Sequence, residues 1–162
     1  MGMTIGPLHV RRSLLIEAPP ARVWEEFETS DRIEAWLGLG HRILTFELWL
    51  DGEVEMSVEV EGETRFFGGP ILVLEPEREI SFESNWQSPY DWPVPTFWTI
   101  RLTPIYDGTL VELLHHGFER LGAEAADELE GYEAAWDLKH LQALRSIVGR
   151  STAGDLGRCR ST

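Results

Sequence analysis

Between His9 and His116, apolar and polar residues alternate with a period of two in one segment after another, the spacing of strands with one buried and one wet face. His9 to Glu17 is apolar and β-branched and predicts a first strand, closed by Ala18-Pro19-Pro20. Leu44, Phe46, Leu48 and Leu50 alternate with Thr45, Glu47 and Trp49, and Asp51-Gly52 predicts a hairpin into Val54, Met56, Val58 and Val60. The other face of that strand is Glu53, Glu55, Ser57 and Glu59. Glu61-Gly62 begins another turn; Thr64 to Leu74 returns, with a bulge or bend predicted at Gly68-Gly69-Pro70. Ile80, Phe82, Ser84 and Trp86 then share one face, as do Thr96, Trp98, Ile100 and Leu102, and, after Asp107-Gly108, Val111, Leu113 and His115.

Helical spacing takes over in three places. Pro19 and Pro20 open a helix carrying Val23, Trp24 and Phe27, since a proline in the first turn removes an N–H that would be unpaired there anyway. Asp31 to Trp36 forms a second short helix with Ile33 and Trp36 on one side, before Gly38 and Gly40 release the chain. From Ala123 to Val148 the positions Leu129, Tyr132, Ala135, Trp136, Leu138, Leu141, Leu144 and Val148 predict one long helix. Its acidic first half and basic second half suit the helix dipole. Residues 9–150 thus read as a single domain, with 1–8 an N-terminal extension and 151–162 a polar tail.

This is an α+β pattern in which a curved antiparallel sheet of about six or seven strands needs covering on one face. A helix is about 10 Å wide with its side chains, too narrow to fill a broad curved sheet alone. The resulting gap predicts a cavity, with Trp86, Trp98 and Trp136 on inward faces and Pro89 to Pro95 at its rim.

Composition narrows the picture. The chain has 162 residues, 43% hydrophobic and 26% charged, with no apolar run near the roughly 18 residues of a membrane span, so no membrane association is expected. The N-terminus lacks a basic start followed by an apolar stretch, which predicts a cytoplasmic protein. Cys159, the one cysteine, has no partner for a disulfide. A net charge of −14 argues against nucleic acid.

Catalytic and metal signatures are missing from the sequence. His9, His41, His115, His116 and His140 do not fall at metal-ligand spacings, and no metal is expected. His115 and His116 point to opposite strand faces, so of the two only His115 reaches the interior. Glu53, Glu55 and Glu59 read as a solvated outer face. No nucleophile elbow, phosphate loop or dinucleotide fingerprint occurs, and no cofactor is expected.

The ordered set of features resembles the activator of heat-shock protein 90 ATPase homologue-like branch of the START (SRPBCC) superfamily, related in fold to the birch-pollen allergen. The resembling residues are Ala18-Pro19-Pro20-Ala21-Arg22-Val23-Trp24, Trp36, Asp51-Gly52, Gly68 to Glu75-Pro76, Gly108-Thr109 with His115-His116-Gly117-Phe118, and Gly131, Trp136 and Leu141. The resemblance implies a helix-grip fold over about residues 10–148, with a hydrophobic-ligand pocket between the sheet and the last helix. Trp36, Phe82, Trp86, Trp98, His115, Tyr132 and Trp136 are the expected ligand-binding residues, with no catalytic residue assigned. The guest would be a small hydrophobic or aromatic molecule, lipid- or polyketide-like. A cyclase or hydrolase with His115 as its acid–base group is the alternative. A chaperone-ATPase modulator linked to stress response is another, which the lack of a second domain counts against. A homodimer is compatible with all three.

Overall fold

Alternation along each segment becomes a sheet with one greasy and one polar face. The computed structural model describes residues 8–87, 90 and 92–160, with 150–160 as backbone alone. Seven strands among the described residues, β1 (His9–Ile16), β2 (Arg42–Phe46), β3 (Glu53–Val60), β4 (Glu63–Glu75), β5 (Glu79–Trp86), β6 (Thr96–Ile105) and β7 (Gly108–His116), pair antiparallel in the order β1-β7-β6-β5-β4-β3-β2.

From β2 to β7 each strand pairs with its successor, whereas β1 joins β7 at the far edge. The chain between β1 and β2 must therefore cross from one edge of the sheet to the other. It does so through α1 (Pro20–Trp24), a 3-10 turn (Glu25–Phe27) and α2 (Ser30–Leu37). Pro20 stands in the first turn of α1, and Thr29 Oγ1 caps α2 by accepting from the Arg32 N–H at 3.2 Å. Trp36 is fully buried; its indole N–H donates to the Glu26 carbonyl at 3.1 Å, tying α2 to the 3-10 turn before it.

The inward residues of the strands, Met56, Ile71, Ile80, Phe82, Ile100 and Val111 among them, are wholly excluded from water. Leu141, Leu144 and Val148 of α4 (Lys139–Arg160) join them in one hydrophobic core. The result is the helix-grip α+β arrangement, a curved antiparallel sheet with short helices and a long final helix.

Three local expectations differ from the observed backbone. First, β2 stops at Phe46, and its register slips between Ile43 and Thr45. Because a one-residue slip exchanges faces, Ile43 and Phe46 are buried while Leu44 and Leu50 face water, the reverse of strict alternation for Leu44. Secondly, in β4 Gly68 holds φ +143°, where a Cβ would lie 2.0 Å from the Val54 carbonyl oxygen, but the ladder slips farther on, between Ile71 and Val73. Thirdly, the single helix expected over Ala123 to Val148 is two. After a 3-10 segment (Phe118–Glu124), α3 (Ala125–Ala135) ends where Trp136 adopts φ −80°, ψ 117°. Asp137 Oδ1 then accepts from the Lys139 N–H at 2.7 Å and starts α4. The break lets the Trp136 indole turn inward onto His115. The backbone of α4 continues through the residues read from sequence as a polar tail. No helix among the described residues is long and apolar enough to cross a membrane.

Candidate functional site

Between the sheet and the α3–α4 junction lies a cavity of about 200 Å³. The strands contribute Val58 from β3, Phe67 from β4, Ser84 and Trp86 from β5 and Trp98 from β6. The segment Leu39-Gly40-His41 after α2 forms a second side. Tyr132 and Ala135 of α3, Trp136 at the break and Lys139 and His140 of α4 form the third. Each strand residue is there because alternation turned it inward. The helical residues flank the break at Trp136.

The walls are mostly aromatic. Trp98 meets Trp136 edge to face with ring centroids 4.8 Å apart and lies 5.5 Å from Phe82. Phe67 stands 4.6 Å from Trp86, within the range where ring pairs add to simple burial. Trp86 Nε1–H donates to the Tyr132 hydroxyl at 2.8 Å. Burial raises the Tyr132 pKa, so the phenol keeps its proton and can donate it onward.

Of the seven residues nominated from sequence, Trp86, Trp98, Tyr132 and Trp136 line this cavity. Phe82 is fully buried behind Trp98. Trp36 packs on Phe27 in the crossing helices, with ring centroids 5.1 Å apart, and does not line the cavity. His115 lies beneath the floor, 2% exposed. Its Nδ1 accepts from Trp136 Nε1–H at 3.1 Å. An indole nitrogen only donates, so Nδ1 carries a lone pair and the proton sits on Nε2. That Nε2–H faces Thr96 Oγ1 at 2.8 Å, and Thr96 in turn donates to the Ser84 carbonyl at 3.2 Å. His115 is thereby fixed as one neutral tautomer, and burial first, then the neighbouring His116, holds its pKa well below the usual value.

Two histidines that sequence spacing did not connect meet at this cavity. His41 stands between Trp98 and His140, with ring centroids 5.8 and 6.2 Å away. Burial, then His140 and Lys139, pushes its pKa down to about 4. His140 Nε2–H donates to the Leu39 carbonyl at 3.0 Å, which leaves Nδ1 as a bare acceptor; burial also lowers the His140 pKa. Trp98 Nε1, His41 Nε2 and His140 Nδ1 are buried and have no hydrogen-bond partner among the described residues. Only a fold that brings the Gly38–Gly40 turn against α4 reveals this pair, and no local motif marks it.

Of the loop expected at the rim, Tyr90 lies edge-on to Trp86 with ring centroids 5.3 Å apart and Trp92 edge-on to Tyr132 at 6.1 Å, and neither lines the cavity itself. Pro89 and Asp91 of the same loop lie outside the described residues. No group of three or more metal-ligating side chains occurs among the described residues.

The family model described as activator of Hsp90 ATPase homolog 1-like protein matches residues 17–148. Among solved structures, protein MLL2253 from Mesorhizobium loti superposes with a TM-score of 0.66 at 21% identity, covering 88% of this chain and 97% of its own. The Aha1 dimer from Colwellia psychrerythraea gives 0.60 at 16% identity over 87% of this chain and 96% of its own. DynU16, described as a putative protein in the dynemicin biosynthetic locus, gives 0.59 at 17% identity over 87% of this chain but 47% of its own. At these identities the structural likeness establishes the fold alone. No curated protein matches the chain.

Proposed function

Given that this chain belongs to the family of activator of Hsp90 ATPase homologue 1-like proteins, we propose that it binds one small aromatic molecule between its sheet and final helices. The observation that carries this reading is the set of unpartnered polar atoms on a mostly aromatic wall: Trp98 Nε1, His41 Nε2 and His140 Nδ1. A buried polar group without a partner costs about 1–3 kcal/mol, so a guest that supplies the missing bonds recovers that cost while its ring replaces water against the aromatics. Trp98 Nε1–H supplies a buried donor, which favours a guest bearing an acceptor.

Binding without turnover is favoured over a cyclase or hydrolase. His115, the acid–base candidate of that alternative, has both ring nitrogens engaged and no face on the cavity. Modulation of a chaperone ATPase rests on the description of the matching family alone, and no surface among the described residues argues for it independently.

The test is to fill the cavity from within. Val58→Phe places a ring in the space that a guest would occupy. Wild-type protein is expected to take up indole, with a change in intrinsic fluorescence from Trp86, Trp98 and Trp136, and the variant to lose at least tenfold in affinity while unfolding at an unchanged urea concentration. Equal indole affinity in a folded Val58→Phe variant would refute the placement.

A further inference from the structure

We propose that the guest is a small aromatic acid, held with its ring among Phe67, Trp86 and Trp98 and its carboxylate at the mouth beside Lys139. This rests on the cavity-binding reading above and adds the charge and size of the guest.

Lys139 is the chain's single lysine, in a sequence with 28 Asp and Glu. Arg11, Arg22, Arg65 and Arg101 take glutamate partners. Lys139 Nζ has no such partner among the described residues, although acids outnumber bases two to one in the chain. Its ammonium instead lies over Gly40, where an added Cβ would stand 3.7 Å from Nζ, and Lys139 is itself part of the cavity wall. Asp137, the acid nearest in sequence, caps the Lys139 N–H and lies along an outer groove that Lys139 also borders, but unlike Lys139 it does not line the cavity. A cation left unpaired beside an apolar chamber is matched by an amphipathic anion.

Two further features agree. Lys139 and His140 are the first residues of α4, so the positive end of that helix adds to the ammonium at the same place. Beneath them the Trp98 N–H, on a side chain 2% exposed, and His41 Nε2 lack partners. Size then selects within the class. A dry cavity near 150 Å³ suits benzene, so about 200 Å³ takes one ring or two fused rings. Three or four fused rings would not fit without parting the walls.

The experiment compares 2-naphthoate with its neutral carboxamide by isothermal titration, on wild-type protein and on Lys139→Met. Lys139 is exposed, so this change spares the core. Wild type is expected to bind the acid about tenfold more tightly than the amide, the scale of one charge-assisted hydrogen bond. Lys139→Met should bind the two equally, and Lys139→Arg should retain a preference. Equal affinities in wild type, or a preference undiminished in Lys139→Met, would overturn the assignment of the carboxylate while indole binding kept the cavity reading intact. If indole, acid and amide all fail to bind, both readings fall together.

Discussion

The imidazole of His115 commits both nitrogens to the fold. Trp136 donates to one, and the other donates to Thr96, whose hydroxyl in turn donates to the Ser84 carbonyl. Thr96→Val keeps the shape of the side chain and removes the hydroxyl, leaving the buried Nε2–H without an acceptor. The expected loss is about 2 kcal/mol of unfolding free energy, whereas Thr96→Ser should lose clearly less; urea denaturation measures both. A valine variant as stable as wild type would mean that the chain of bonds contributes nothing. The inward direction of His115 was legible from strand alternation. Its engagement with Trp136 was not, because a side chain at that helical position is equally apolar whether the helix runs on or breaks. His41 and His140 were harder still, since each is unremarkable in its own segment and only the fold joins them.

At the scale of elements, the strands were read well because one wet and one dry face impose a period of two. The exceptions are those where register slipped, as at Ile43 to Thr45, and a slip leaves no mark in residue type. The α3–α4 break has an energetic counterpart. In α3 only Ala125 is fully buried, and a Cβ added at Gly131 would meet nothing within 4 Å. In α4, His140, Leu141, Leu144 and Val148 are all buried. Few buried apolar contacts mean a low local opening free energy. Amides of α3 are therefore expected to exchange with deuterium at least tenfold faster than those of residues 141–148. A bound aromatic guest should slow α3 selectively, through Tyr132 and Ala135. Uniform protection across both helices would contradict this division.

For the whole molecule, the buried imidazoles make acid the weak side. The His41 pKa is about 4 in the fold against 6.5 in the open chain. Above pH 6.5 it is neutral in both states and does not affect the balance. As pH falls from 6.5 toward 4 the unfolded chain takes up a proton that the folded one refuses, so stability declines, by roughly 3 kcal/mol for His41 alone at the lower limit. His115 and His140 are lowered too and act in the same direction. The difference in stability between wild type and His41→Asn, followed by urea unfolding from pH 7.5 to 4.5, is expected to shift steadily in favour of the variant. A pH-independent difference would show that His41 accepts its proton within the fold.

The solitary lysine also has a practical side. Its side chain is the sequence's only ε-amine, and it sits on the lip of the cavity. Acylating reagents aimed at lysine thus have one internal address on the molecule, and a tether fixed there would hang directly above whatever the chamber contains.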